Sequence, residues 1–204
     1  MPVITISRQF GAGGRTLGKM ISEKLQYTFA DTEIIQKIAK EANVSPEFVE
    51  SVEKEAGTKL SKVINSMVSM KWVDRILADE RGYIDEQIYL DYLVLIIAQV
   101  ADEGNVVVLG RGSQYILNDH PDAFHVLLID NVDNRIKFMM DNYDLPKNKA
   151  AQVVTYEDKR RLNLYKKLGK TDYDDSSLYH LVLNMSRMTI PKAMNLIETL
   201  IDSK

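Results

Sequence analysis

The chain has 204 residues, 45% of them hydrophobic, which is enough to bury the core of one domain. It carries 26 lysine and arginine residues against 29 aspartate and glutamate residues, and the net charge of -3 excludes a general basic field for nucleic acid or an anionic membrane. It has no cysteine, which excludes disulfides, thiolate metal sites and cysteine nucleophiles.

The start of the chain has no signal-peptide pattern, and the longest apolar run, Tyr92 to Ala101, is too short to span a bilayer. We therefore expect a cytoplasmic globular protein with no nucleic-acid or membrane partner, whose anion sites must be local.

Short apolar runs rich in β-branched residues alternate with helical patterns, as expected for strands that are buried on both faces of a sheet. The runs are Val3 to Ser7, Val106 to Gly110, Phe124 to Asp130 and Tyr179 to Asn184, with a further short strand that ends before Asp31. Repeated strand-then-helix units predict a parallel sheet with right-handed crossovers, and hence an α/β layered fold.

The helix boundaries follow from capping residues. We expect Asp130 to cap the helix that follows it, and Thr189 with Pro191 to open the last helix. Gly104 and Gly169 follow helical stretches, at the position where a glycine commonly ends a helix.

Two helical segments interrupt the alternation. From Asp31 to Glu103 the pattern is helical almost throughout, which predicts an inserted lobe. Lys147 to Leu168 is a second helical segment with a dense basic face, and no acid follows Asp158 until Asp172. This favours a mobile anion-binding lid over a solvated basic face. One domain is therefore expected, with a core of 1–30, 104–146 and 171–204, a lobe of 31–103 and a lid of 147–170.

The stretch SRQFGAGGRT joins the first predicted strand to a helix. A glycine-rich loop in this place directs backbone N–H groups and a helix N-terminus at one point, which attracts a phosphate. The nucleotide-binding consensus is G-x-x-x-x-G-K-[ST], and here Arg8 or Gln9 stands at its first glycine. A tight turn without a ligand is the alternative.

The consensus lysine is missing in both registers of this loop. If Gly13 is the last loop glycine, Gly14 stands at the lysine position and Thr16 follows one place late. If Gly14 is the last loop glycine, Arg15 and Thr16 replace the lysine and the hydroxyl residue directly.

Two charged residues follow predicted strands at the edge where open parallel sheets bind ligands. Arg111 can hold a phosphate with two parallel hydrogen bonds, or it can pair with a carboxylate at the sheet edge. Asp31 is a candidate ligand group or a plain helix N-cap.

Other residues give weaker signals. The spacing of His120, His125 and His180 favours no metal site. The apolar run that begins at Tyr92 is compatible with a core helix and equally with a helix-to-helix interface in a homo-oligomer.

Four segments, in order, resemble the cytidylate kinase-like family, divergent relatives of bacterial cytidylate kinase among the P-loop nucleoside monophosphate kinases. They are ITISRQFGAGGRTLG, VVVLGRGSQYIL, the DKRR segment with its following tyrosine, and YHLVLN. The resemblance implies a three-layer P-loop kinase fold with a five-stranded parallel sheet, a helical acceptor-binding lobe and an arginine-bearing helical lid.

The resemblance also implies an activity, namely ATP-dependent phosphoryl transfer to a nucleoside monophosphate, CMP or dCMP first, giving the diphosphate and ADP. Arg111 and Asp31 would serve the acceptor, and Arg160 or Arg161 the transferring group. The alternatives are a kinase for another small metabolite and a nucleotide-binding regulator without turnover. The loop residues that would hold ATP are Gly11, Ala12, Gly13, Gly14, Arg15 and Thr16, with Mg²⁺ on the Thr16 hydroxyl.

The chain departs from authentic cytidylate kinases at two positions. The loop lysine is absent, and Leu109 stands where those enzymes have an aspartate before the Gly-Arg pair. Arg15 restores the charge for the transferring phosphoryl, although its guanidinium is longer and planar. The G-G-R-T loop is usual in the divergent branch of the family, which suggests adapted use of the loop.

Overall fold

A computed structural model describes residues 1–31, 86–171 and 174–203, and for residues 86–88 it describes the backbone alone. Most of the expected lobe of 31–103, including Trp72 and Tyr83, therefore lies outside the described residues. Its last helix is described, and the buried side chains of that helix include Tyr89 and Tyr92.

The core of the fold is a five-stranded parallel sheet with the order β2-β3-β1-β4-β5. The central strand β1 pairs with β3 on one side and β4 on the other, so that Thr5 lies between Val108 and His125. This confirms the predicted α/β fold with a parallel sheet. The strands are β1 (Val3–Arg8), β2 (Thr28–Ala30), β3 (Val106–Leu109), β4 (Ala123–Ile129) and β5 (Leu181–Asn184).

Helices cover both faces of the sheet. Successive residues of a strand point to opposite faces, so they pack against different helices. Val106 and Val108 belong to a core cluster with one long helix, α2, whereas Val107 and Leu109 belong to a cluster with α1 and α6. The described helices are α1 (Gly14–Leu25), α2 (Glu86–Glu103), α3 (Ser113–Ile116), α4 (Val132–Tyr143), α5 (Lys147–Lys167), α6 (Ile190–Asp202) and a 3-10 turn (Ser176–Leu178).

Most predicted boundaries agree with the structure, and two are corrected. Gly104 and Gly169 have positive φ angles of 69° and 72°, as expected after helices. The cap of α4 is Asn131, whose side chain accepts from the Asn134 N–H at 2.8 Å, because the backbone of Asp130 is still held at the end of β4. The last strand begins at residue 181, because the 3-10 turn occupies the chain just before it.

Helices α4 and α5 pack on each other outside the two sheet-facing cores. Met139 of α4 and Val154 of α5 are buried in a third small cluster, with Phe10 of the glycine-rich loop against it. The predicted lid helix thus contacts α4 and the loop. No helix among the described residues is long and apolar enough to cross a membrane.

Candidate functional site

The glycine-rich loop leaves a helix N-terminus open to an anion. Gly11 and Gly13 have φ angles of 86° and 80°, which turn the chain between β1 and α1. Helix α1 begins at Gly14, with no side-chain cap and no acidic residue in its first turn. Because the first amides of a helix have no intrahelical acceptor and lie at the positive end of its dipole, this turn favours a phosphate.

Helices α4 and α5 hold the loop through hydrogen bonds. Asp158 of α5 accepts from the Phe10 N–H at 3.0 Å and from Arg135 Nη1 of α4 at 2.6 Å. The same Nη1 donates to the Phe10 carbonyl at 3.1 Å. A Cβ on Gly11 would lie 2.9 Å from the Arg135 carbonyl oxygen, so the loop backbone touches α4 directly.

The loop is also tied to the end of β4. The side-chain oxygen of Gln9 accepts from the Asp130 N–H at 3.0 Å, and the Asp130 carboxylate accepts from the Ser186 hydroxyl at 2.6 Å. Sequence reasoning did not single out Arg135, Asp158 or Asp130 as loop-holding residues. Fixing the backbone in this way preorganises its amides, which lowers the ordering cost of ligand binding.

Asp31 and Arg111 meet at the carboxyl edge of the sheet. Arg111 Nη1 lies 3.3 Å from one Asp31 oxygen, and Arg15 Nε lies 3.1 Å from the other. The side chains of Arg111 and Asp31 are 14% and 16% exposed, whereas that of Arg15 is 65% exposed. The carboxylate pairing that the sequence left open for Arg111 is therefore the arrangement present here.

Arg111 has a backbone conformation that is uncommon for a side-chain-bearing residue. Its φ of 55° lies between those of Gly110 and Gly112, at 67° and 71°. A non-glycine residue in this region costs on the order of 1 kcal/mol, and such strain is often found where a side chain must be aimed at a ligand. The Gly112 position also touches Leu168, so the end of α5 lies against this turn.

Two arginines of α5 have carboxylate partners. Arg161 donates to both oxygens of Asp174, at 2.6 and 2.8 Å, and Arg160 contacts Glu157 at 3.1 Å. Burial opposes the charged form, but the hydrogen bonds and charge of Asp174 raise the pKa of the Arg161 guanidinium. Two cations of the basic face therefore have carboxylate partners, one from the preceding turn of the helix and one from beyond its end.

Arg161 extends the site toward a group of buried rings. Its guanidinium carbon is 5.6 Å from the ring centre of Tyr165, which packs edge-on against Tyr115 at 5.1 Å. Tyr165 is fully buried. Since Asp158 lies at the loop and Leu168 at the Gly112 turn, α5 spans the carboxyl edge of the sheet between them.

Arg8 is a cation of this site whose role the sequence did not indicate. It ends β1, and its side chain is packed against Gly14 and Gly110. Burial lowers the pKa of the Arg8 guanidinium, and the charges of Arg111 and Arg161 lower it further, although Tyr165 and Asp31 act in the opposite direction. Arg8 therefore lies close enough to Arg111 and Arg161 to be repelled by both.

The exposed Thr16 side chain lies in the first turn of α1, beside the loop glycines. One hydroxyl fits Mg²⁺, because this ion keeps several waters and takes its other ligands from substrate phosphates. Among the described residues, no group of three histidine, aspartate or glutamate side chains could hold a metal ion by itself. The three histidines accordingly form no such cluster there.

The strand order, the loop after the first strand and the helices on both faces define this protein as an α/β protein of the P-loop kinase type. The profile of the Cytidylate kinase-like family matches residues 3–187. The chain therefore belongs to the Cytidylate kinase-like family, as its four segments predicted.

Comparison with individual proteins agrees with this assignment. The chain is 24% identical over 205 residues to a protein named cytidylate kinase from Methanocaldococcus jannaschii, covering 98% of each. A crystal structure of an uncharacterized protein from Eubacterium ventriosum matches 100% of this chain and 99% of its own, with a TM-score of 0.71 and 18% identity. Shikimate kinase from Bacteroides thetaiotaomicron matches 98% of both chains, with a TM-score of 0.54 and 15% identity.

Proposed function

We propose that this protein transfers a phosphoryl group from ATP to a nucleoside monophosphate, with CMP and dCMP as the first acceptors to test. The proposal rests on one observation. The N-terminus of α1 has no side-chain cap, and the loop before it is fixed by Arg135 and Asp158. Three arginines lie in the same site, namely Arg8, Arg111 and Arg161. Phosphoryl transfer requires such positioned positive charge and no protein nucleophile.

The donor is assigned to the loop. The backbone amides from Gly11 to Thr16 cradle the ATP phosphates, since the turn directs them to the start of α1. The Thr16 hydroxyl would hold Mg²⁺, which neutralises charge on the phosphate oxygens when bound. Arg15, which is mostly exposed, is assigned to the transferring group, and it must exchange Asp31 for phosphate to reach it.

The acceptor is assigned to the carboxyl end of β2 and β3. Arg111 binds its phosphate, and Asp31 holds Arg111 in position through the contact at 3.3 Å. Arg161 and Arg160 of α5 neutralise the moving phosphoryl group. In the present arrangement both arginines hold carboxylates, so substrate phosphates compete with Asp174 and Glu157 for these donors.

CMP and dCMP come first because the curated archaeal relative is named a cytidylate kinase. The residues that would read a base fall in the expected lobe, most of which lies outside the described residues. A kinase for another small metabolite is therefore tested in the same experiment.

The test is an ADP-release assay with ATP and Mg²⁺ across nucleoside monophosphates and small hydroxylated metabolites, with the phosphorylated product identified by ³¹P NMR. We expect ADP release that depends on one class of acceptor, and we expect its rate to be lower in the Arg111→Ala variant. Lys24→Ala is the matched control, because Lys24 is 51% exposed and pairs with Glu198 at the end of α1 that lies away from the loop. ATP binding without acceptor-dependent release would favour a nucleotide-binding regulator, and absence of ATP binding in folded protein would refute the loop assignment.

A further inference from the structure

The side chain of Arg8 occupies space that two glycines leave open. A Cβ added to Gly14 would lie 2.8 Å from Arg8 Cγ and 3.1 Å from Arg8 Cβ. A Cβ added to Gly110 would overlap Arg8 Nη1. The stem of Arg8 therefore passes over the first residue of α1, and its guanidinium rests on the turn after β3.

Arg8 is also the cation of this site without a bonded counterion. In the part of the chain that the structure describes, its guanidinium has no hydrogen bond and no ion pair. Asp31 is near, but it contacts Arg15 and Arg111. A guanidinium presents five N–H donors, and leaving them unsatisfied in a partly buried site is unfavourable. An anion with several oxygens would satisfy them and would offset the repulsion among the arginines.

The two departures of the loop from the consensus touch each other. In the register that ends the loop at Gly13, the seven positions of G-x-x-x-x-G-K run from Arg8 to Gly14. The first glycine has become Arg8, and the lysine has become Gly14. Because the Arg8 stem fills the space where a side chain at position 14 would begin, Arg8 in this conformation requires a glycine at position 14.

We propose that Arg8 supplies the phosphate-binding cation that this loop type otherwise takes from its lysine, reaching the phosphates from the end of β1. The inference rests on the proposed function for the nature of the ligand, which is a polyphosphate chain of the nucleoside triphosphate kind. Gly14 is the compensating change that leaves room for the stem of Arg8, and Gly110 leaves room for its guanidinium.

Arg15 is less suited to this role than Arg8. Its side chain is 65% exposed, and its Nε contacts Asp31 toward the end of β2. To hold a phosphate Arg15 must break that contact, whereas Arg8 has no ion pair among the described residues that would have to be broken. Arg8 is also partly buried at the edge of the sheet, where a phosphate interaction is less screened than at the surface.

The test is a cycle of four proteins, namely the wild type, Arg8→Gly, Gly14→Lys and the double variant, which restores the consensus residues at both positions. Binding of ATP-Mg and of inorganic tripolyphosphate is measured by calorimetry, so that the readout does not depend on turnover. We expect Arg8→Gly to weaken both ligands about tenfold to a hundredfold, as for loss of charge-assisted hydrogen bonds. Gly14→Lys should also be impaired, because its Cβ collides with Arg8. The double variant should recover most of the affinity.

Two further variants distinguish the loss of the Arg8 charge from a loss of the fold. Arg8→Gln keeps the stem against Gly14 and removes the charge, and it should still weaken tripolyphosphate about tenfold or more. Lys19→Ala is the matched control on α1, because Lys19 is 69% exposed and pairs only loosely with Glu23 at 3.8 Å. Thermal unfolding of every variant identifies loss of fold.

The outcomes separate this inference from the proposed function. Wild-type affinity in Arg8→Gln, or strictly additive losses in the double variant, would overturn the role of Arg8 while leaving acceptor-dependent transfer intact. A wild type that binds tripolyphosphate through Arg8 but transfers nothing would retain the role of Arg8 and overturn the kinase proposal. Absence of any polyphosphate binding by the folded wild type would overturn both.

Discussion

The attachment of the glycine-rich loop to α5 should weaken when Asp158 is changed to alanine. Asp158 accepts from the Phe10 N–H and from Arg135, and the Arg135 side chain is only 7% exposed. Removing the carboxylate leaves the buried guanidinium of Arg135 without its counterion and the Phe10 amide without its acceptor. Breaking a buried pair in this way costs about 3–5 kcal/mol, and we expect about 3 kcal/mol because Asp158 itself is 25% exposed.

Urea unfolding measures this change as a shift in the midpoint at constant slope. For a domain of this size, a loss of about 3 kcal/mol corresponds to a fall in Tm of roughly 6–12 °C. Asp158→Asn keeps an oxygen acceptor but loses the charge, so it should cost about half as much. Because the loop amides lose their support, the affinity for ATP should fall in both variants even at temperatures where they remain folded.

The control is Asp141→Ala on α4. Asp141 pairs with Lys137 at 2.7 Å, but these side chains are 55% and 71% exposed, so the loss should stay within about 1 kcal/mol. Combining Asp158→Leu with Arg135→Met should recover part of the stability and not all of it, because Phe10 then lacks both hydrogen-bonding partners. If Asp158→Ala cost no more than Asp141→Ala, the proposed support of the loop would be wrong.

Three further predictions concern pH, the acceptor and the lid. Burial lowers the pKa of His125 to about 4, so its contribution to stability is complete above pH 6.5 and is lost as the pH falls through 4. That loss is at most roughly 3 kcal/mol, and urea titrations at several pH values should show it in the wild type and in His120→Gln but less in His125→Gln. Arg111→Ala should raise the acceptor KM by about tenfold to a hundredfold with a smaller change in kcat, and initial-rate kinetics would contradict the assignment if KM were unchanged. Amides of 159–170 should exchange hydrogen more slowly with a two-substrate analogue than with ATP alone, because closure engages both phosphate groups, and equal exchange would refute the lid assignment.

The sequence was informative where burial controls residue choice. Strands covered on both faces become continuous apolar runs, which is why Val106 to Leu109 was recognisable within one residue of its observed end. The meeting of Asp31 and Arg111 also follows from the pattern, since parallel strands place their carboxyl ends at one edge. The loop could be located for the same reason, because it follows β1, whose first five residues are buried.

Polar pairing between distant segments was not predictable in this way, because it produces no periodic pattern of hydrophobic residues in the sequence. The basic face of α5 was read from acids within the helix, yet Asp174 lies beyond its end, in a turn with a φ of 57°. Arg135 looks like any charged residue of an amphipathic helix until its burial is known. In the sequence, Arg8 is visible only as the absence of the first consensus glycine. Its packing against Gly14 becomes known only from the distance between them in the structure.

The charge of the whole chain and the charge of its site have opposite signs. The net charge of -3 excluded a general anion-binding surface, yet Arg8, Arg111 and Arg161 converge where Asp31 and Asp174 supply the nearby carboxylates. The electrostatic field of this site is short-ranged, because salt screens exposed charges within about 10 Å. It therefore acts on a phosphate that has entered the site and attracts distant phosphates only weakly. Under the proposed function, selection among phosphorylated molecules must then come from geometry, through the loop amides for the donor and the Arg111 turn for the acceptor. For this reason the compensated exchange at positions 8 and 14 matters more than the number of basic residues.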